Sequence, residues 1–436
     1  MADMSTGKTI VAPADGAAGA EPTRGYRFYV LFILFLVYTF NFVDRQIVGI
    51  LAGPIKAELG LSDTQLGLMG GIAFAMLYAS LGIPIALLAD RFSRAWIVTL
   101  SLALWSAFTA LCGFAQGFWQ LFLCRVGVGV GEAGGVAPSY SLISDYFPPA
   151  ERARAFAVFS FGIPVGSAAG ILFGGLIAAR IDWRVAFFAC GVAGLVLAPL
   201  MAFTVQEPVR GGFDPPGAKT AAPPLSEVLR ILAGKDSFWL ISFGASSGSL
   251  LGYGLAFWMP QFLGRSFGMS LADLSLYYSA IALFGGVLGI WMGGYLGDRL
   301  GRTSKAAYAL VPAAAYVLSI PFYAMGMLST SPALTFFVFL IPTALGLVWL
   351  GPVITSVQQL VPPAMRATAS AVFLFINNLI GIGFGIFFFG RVSDLLGRRF
   401  GAESLRYSIL IGLVFYVLAA TLLYLASRRL ERDWHR

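Results

Sequence analysis

The chain has 436 residues, 58% of them hydrophobic and 11% charged, with a mean hydropathy of +0.81; soluble globular domains carry about 25% charged residues, so a water-soluble fold is excluded. The formal net charge of +8 comes from basic residues scattered in short segments between apolar runs, which argues against nucleic acid as a partner. A single histidine, His435, and three cysteines without paired spacing, Cys112, Cys124 and Cys190, leave no His-based triad and no metal site, so neither an enzyme nor a cofactor is expected.

Residues 1–25, rich in Ala, Gly and Pro, read as a disordered cytoplasmic tail with no signal peptide to be removed. Twelve apolar stretches long enough to cross a ~30 Å hydrocarbon core follow. Their limits are near Tyr26–Leu51, Gln65–Leu88, Trp96–Ala115, Phe118–Ile143, Ala153–Ala179, Val185–Val205, Phe238–Leu263, Leu274–Leu296, Ala306–Leu328, Leu334–Val357, Ala367–Phe389 and Tyr407–Ala426. The proline-broken, polar segment 206–236 splits them six and six and reads as a linker between an N-terminal bundle, 26–205, and a C-terminal bundle, 237–427, with a basic cytoplasmic tail at 428–436. With both termini and the linker inside, nineteen Lys and Arg fall in cytoplasmic segments and eight outside, so the excess of basic residues sets an N-in, C-in orientation. The expected fold is an all-α membrane protein of twelve transmembrane helices.

The first apolar stretch carries Asp44 and Arg45 well inside its length, and the fourth carries Arg125 and Glu132, seven residues or ~10.5 Å apart on one helix face. Each such charge costs roughly 2.5–3.5 kcal/mol at membrane depth, so its retention points to transport or proton relay. Asp44 and Arg45 project ~100° apart and must find different partners. Burial disfavours an ionised carboxylate and a nearby guanidinium favours it, so Asp44 and Glu132 are candidates to take up a proton on one side and release it on the other. Arg45 and Arg125 stay charged and can pair with those acids or hold an anionic head group. Structural ion pairing between the first and fourth helices is the plain alternative. Gly127, Gly131 and Gly135 make a small-residue face on the fourth helix, and Gly162, Pro164, Gly166 and Gly170 suit the fifth to pack tightly against a partner in the other half. The C-terminal half offers polarity without charge, at Tyr253 and Trp258 in the seventh helix and Asn377 and Asn378 in the eleventh, which suits the tail of an amphiphile.

After the second helix the chain reads ALLADRFSR, residues 86–94, and after the eighth GYLGDRLGR, residues 294–302. Asp90, Arg91 and Arg94, and their counterparts Asp298, Arg299 and Arg302, can form a latch that breaks and re-forms, with the acid at another helix's N-terminus or on an Arg. GGLIAARIDWR at 174–184 and GRVSDLLGRR at 390–399 hold the equivalent places on the opposite face. The paired loop motifs on a six-plus-six plan resemble the major facilitator superfamily of secondary transporters over nearly all the chain after residue 25. The first copy departs from the family pattern at Ala86 and Ser93, where glycine is usual.

Within that superfamily, NFVDR at Asn41–Arg45, with Arg125, the alternating glycines and Glu132 in the fourth helix, is similar to the Spinster group, whose animal members export sphingolipid or lysophospholipid species. The short loops and tails suit a bacterial member. The resemblance implies a lipid-like substrate and makes Asp44 and Glu132 the proton-coupling residues, with Asn41, Arg45 and Arg125 in the substrate site. The resulting expectation is a monomeric, multi-pass, proton-coupled transporter of the inner membrane that moves an amphiphile by alternating access and has membrane lipids as neighbours. The alternatives are a drug or small-metabolite exporter of the same fold and a non-transporting receptor or scaffold.

Overall fold

A computed structural model describes residues 23–211, 213 and 224–435, which form helices and turns without a strand. The expected tail up to residue 22, the linker residues 212 and 214–223, and Arg436 lie outside the described residues. Ten helical runs are each long and apolar enough to cross a membrane once: α1 (Arg24–Leu59), α2 (Asp63–Ala89), α3 (Arg94–Cys112), α4 (Phe118–Tyr146), α5 (Pro149–Arg180), α6 (Trp183–Thr204), α7 (Asp236–Phe267), α8 (Leu271–Gly301), α9 (Ala307–Leu328) and α10 (Pro332–Gln359). The last run, Arg366–Asp433, has 68 residues, more than three times the ~20 a crossing needs. It reverses at Gly401, whose φ of 55° lies in the left-handed region that favours glycine, and so divides into α11 (366–400) and α12 (404–433).

Local chemistry explains where the helices differ from the limits read in the sequence. α1 continues eight residues beyond Leu51, past Pro54, until Gly60 terminates it in the αL conformation. α2 starts early because Ser62 and Gln65 form a reciprocal capping box. α4 is interrupted at residues 133–135, where two glycines and the nearby Pro138 weaken the helical ladder. Inside the linker a nine-residue helix, Leu225–Ala233, buries Val228 and Leu232 against α7 and α11.

Glycine decides how the helices pack. Gly162, Gly166, Gly170 and Gly174 line one face of α5, and the structure presses that face on α1: a Cβ on Gly166 would sit 2.2 Å from the Thr39 carbonyl oxygen, and one on Gly170 2.7 Å from that of Val43. This corrects the expectation that these glycines meet the other half, because residues four apart share a face and that face belongs to α1. The contact with the other half uses the opposite side of α5, where Pro164 meets Gly286 and Gly175 meets Ser275, both on α8. In α4, Gly127 and Gly131 likewise take up Phe108 and the Trp105 backbone of α3, and Gly129 the Phe74 carbonyl of α2.

Two further contacts complete the seam between the halves. α1 lays Gly49 and Gly53 on Phe257 and Gln261 of α7. α2 and α11 each contain a π-helical turn, Leu68–Ile72 and Leu379–Phe384, and the two meet where a Cβ on Gly71 would lie 2.7 Å from the Gly383 carbonyl oxygen. Such turns mark functional sites more often than ordinary helix does.

Filling the α5–α1 contact costs about 1–3 kcal/mol or more, because backbone cannot move aside as a side chain can. Gly166→Val is therefore expected to lower the thermal midpoint of the purified protein clearly, whereas Gly82→Val, at a position with nothing within 4 Å, is expected to leave it nearly unchanged. Equal losses in a detergent melting experiment would contradict the packing described.

Candidate functional site

The four charges at membrane depth are partnered unequally. Arg45 on α1 donates from Nε to Oε2 of Glu132 on α4 at 2.9 Å, with side-chain exposures of 11% and 0%. Asp44, the next residue round the helix, turns to α6, where the Cys190 thiol donates to its Oδ1 at 3.0 Å. Arg125 is only 1% exposed, yet its Nε and Nη1 have no hydrogen-bond partner among the described residues, and the same holds for Nη2 of Arg45, Oε1 of Glu132 and both amide atoms of Asn41. Helix stapling is thus present but incomplete, with one ion pair among four charges. Buried donors left open cost about 1–3 kcal/mol each in a purely structural role.

Aromatic rings hold the two arginines. The guanidinium carbon of Arg45 stands 4.6 Å from the Tyr78 ring centroid, 5.0 Å from Phe42 and 5.1 Å from Phe74. That of Arg125 stands 5.4 Å from the same Phe74 ring. Ring faces attract cations, so Phe74, shared by both guanidinium groups, adds to the hold that Glu132 has on Arg45.

Arg45, Arg125, Phe42 and Phe74 line a cavity of about 30 Å³ with Gln46, Tyr253 and Phe257, room for one or two waters. Phe257 closes it: its backbone lies on Gly49 and its ring fills the space beside Gly70, where a Cβ would be 2.4 Å from the ring. Of the uncharged residues singled out in the C-terminal half, Tyr253 alone lines this cavity. Trp258 is fully buried and donates its indole N–H to the Ile386 carbonyl at 2.8 Å, which ties α7 to α11. The Asn377 amide oxygen accepts from Ser249 at 2.9 Å, and Asn378 is half-buried.

At the end of the molecule that holds the α1–α2 loop, a charge cluster bridges the halves. Asp63 is 2% exposed and accepts two hydrogen bonds from Arg265 of α7, both 2.7 Å, one from Ser393 of α11 at 2.7 Å and one from Lys56. In return Asp394 of α11 accepts from the Asp63 and Thr64 backbone N–H groups at 3.2 and 2.7 Å, capping the N-terminus of α2. The stretch 390–399 does sit on this face. Asp63 itself reads in sequence only as part of a helix start, because its partner Arg265 lies 202 residues away. Phe74, Phe257 and Cys190 are likewise indistinguishable from ordinary apolar residues in sequence.

The loop motifs at the opposite end are arranged differently from expectation. Asp90, Arg91, Asp298 and Arg302 are exposed, and neither acid's carboxylate has a partner among the described residues. Arg299 donates to Tyr295 of its own helix at 2.7 Å. Arg94 is the engaged member, 3% exposed and paired with Asp145 of α4 and Glu207 of the linker. Burial pushes the Glu207 carboxyl up, but hydrogen bonds from the Ala95 N–H, Arg94 and Ser93 hold it below its ordinary value. Arg210 donates to the Asp90, Ala89 and Phe92 carbonyls, so the linker is tied to the N-terminal half.

Comparison with known proteins agrees with this arrangement. The model of the Major Facilitator Superfamily matches residues 34–385. The chain is 35% identical over 409 residues to an MFS-type efflux pump of Mycolicibacterium smegmatis, covering 92% of each chain. It is 30% identical over 400 residues to protein spinster homolog 1 of Mus musculus, covering 86% of this chain and 75% of that one. A crystal structure of a bacterial homolog to the human lysosomal transporter Spinster, inward-facing and unoccupied, superposes with a TM-score of 0.86 at 33% identity, covering 95% of this chain and 100% of that one.

A buried carboxylate holding a forked guanidinium contributes several charge-assisted hydrogen bonds of about 1.5–3 kcal/mol. Asp63→Asn is expected to shift the protein at least tenfold toward opening at the α1–α2 loop end, read as labelling of that end of the cavity by a membrane-impermeant reagent. Asp298→Asn, at the other end, should leave that labelling unchanged. Equal labelling of wild type and Asp63→Asn would remove this cluster from the gate.

Proposed function

The chain belongs to the Major Facilitator Superfamily and is a transporter of its Spinster type, and from that premise we propose that it moves a single-tailed, anionic or zwitterionic lipid-like solute by proton-coupled alternating access. The observation that carries this reading is the pair Arg45 and Arg125 at one cavity, with guanidinium N–H groups that no described residue occupies. Three donors aimed into an apolar surround are what a phosphate or similar head group requires. Phe257, Ile382 and Ile386 on the facing helices offer apolar contact to a chain, and Tyr253 adds a single hydroxyl, fewer hydrogen-bonding groups than a sugar requires. Because the cavity holds little more than water, substrate enters only when the halves part.

In this reading Asp44 and Glu132 carry the proton. Neutralising Glu132 releases Arg45 for the substrate, and re-ionisation recaptures it, so substrate and proton compete for one guanidinium. The halves rock about the seam of α5 with α8 and α2 with α11, the Asp63 cluster closing the outer end and the Asp90 and Asp298 loops the cytoplasmic end. The orientation is N-in and C-in, in the inner membrane, as a monomer of two six-helix bundles. The basic stretch that begins at 428 continues α12 to 433, and the segment between α6 and α7 is the cytoplasmic linker. A second reading, export of a drug or small metabolite, is favoured by one observation, the 35% identity to a protein named as an efflux pump.

The test is competition binding to purified protein with lipids of matched tail that differ only in head charge, followed by proton uptake in liposomes. The anionic head is expected to bind about tenfold or more tightly than the neutral one, and Arg45→Lys, which keeps charge but loses the fork, to lose about tenfold. Asp44→Asn and Glu132→Gln should each fold normally and abolish the pH dependence of uptake. Equal affinity for the two heads, with a silent Arg45→Lys, would favour the second reading.

A further inference from the structure

We infer that Cys190 is a positioning residue for Asp44, its thiol on α6 holding the α1 carboxyl in the orientation in which the proton is exchanged. The inference rests on the reading of Asp44 as a proton carrier. The contact is direct, Sγ to Oδ1 at 3.0 Å, and both side chains are buried, at 9% and 2% exposure. Neither helix can carry its group away. Next to the thiol, Gly191 presses the α6 backbone on α3, where a Cβ would lie 2.5 Å from the Ala110 nitrogen, and Gly194 takes up Ser106 of the same helix. Next to Asp44, Val43 is pinned by Gly170 of α5.

The groups that face Asp44 are Arg125 and Glu132 from α4, Thr109 from α3, Cys190 from α6 and the Cys112 thiol of α3, with Arg45 adjacent in the chain; α5 presents only its glycine face here. Among these, Cys190 is the one whose hydrogen bond to Asp44 is formed at 3.0 Å. A thiol is a weak donor. It can fix the direction of a carboxylate while adding little to the stability of the ionised form, which leaves the proton free to come and go. A hydroxyl at the same place would favour the ionised form more, and a methyl group would neither favour nor orient it.

That difference makes a test in which the two variants move in opposite directions. The Asp44 carboxyl is followed by its infrared C=O stretch in purified full-length protein reconstituted in liposomes, without substrate, and assigned by its loss in Asp44→Asn. In Cys190→Ser the pH at half-protonation is expected to fall by about half a unit, and in Cys190→Ala to rise by about half a unit. Thermal midpoints measured alongside show that each variant is folded. A packing role for Cys190 predicts changed midpoints of melting and an unmoved titration, and that result overturns the inference. If Asp44→Asn removes no titrating band, the reading of Asp44 as carrier fails first; if it removes the band and both Cys190 variants titrate as wild type, this inference alone fails.

Discussion

Everything in the central site follows from one constraint: charge inside hydrocarbon must find its partner within the protein. Arg45 and Glu132 satisfy it across α1 and α4 at 2.9 Å, and Asp44 satisfies it weakly through a thiol on α6. Arg125 satisfies it least, through the face of Phe74 and no hydrogen bond from its Nε or Nη1. A structural network would tend to close on itself, since a half-satisfied one is worse than an apolar core. Here Arg45 and Arg125 keep guanidinium positions open beside a cavity.

The two ends of the molecule apply the same chemistry to the opposite purpose. Around Asp63 the acid is buried and shared by Lys56 of its own half and by Arg265 and Ser393 of the other, so separating the halves there breaks three hydrogen bonds to its carboxylate at once. Around Asp90 and Asp298 the acids are exposed, and separation at that end breaks nothing they hold. The acid at one end is thus bonded across the halves, and among the described residues the two acids at the other end are not.

Glycine sets how closely the helices approach one another, within each half and along the seam. Along α5 the glycines serve α1, inside one half, and bind the two helices into a unit. Pro164 and Gly175 on the other side serve α8 across the halves. Tight backbone contacts thus occur within a half, where α5 meets α1, and also between the halves, where Gly71 meets the Gly383 carbonyl. The paired π-helical turns of α2 and α11 touch on this seam beside Phe257.

The sequence by itself determined the twelve crossings, the family resemblance and the four buried charges, because hydropathy and isolated ionisable residues are local signals that need no partner to be recognised. It also required Asp44 and Arg45 to part company, since adjacent helical residues project ~100° apart. Only the tertiary structure decided which partners they took. Cys190 looks like any apolar residue until α6 brings it to Asp44, and Asp63 like an ordinary helix start until a residue 202 positions away arrives. The glycines of α5 announce close packing, but which helix comes close depends on the face they share once every other helix has been placed. Trp258, polar enough at its indole N–H to suggest a cavity, was claimed by the Ile386 carbonyl, because a buried donor goes to the nearest acceptor and sequence does not say where that acceptor lies.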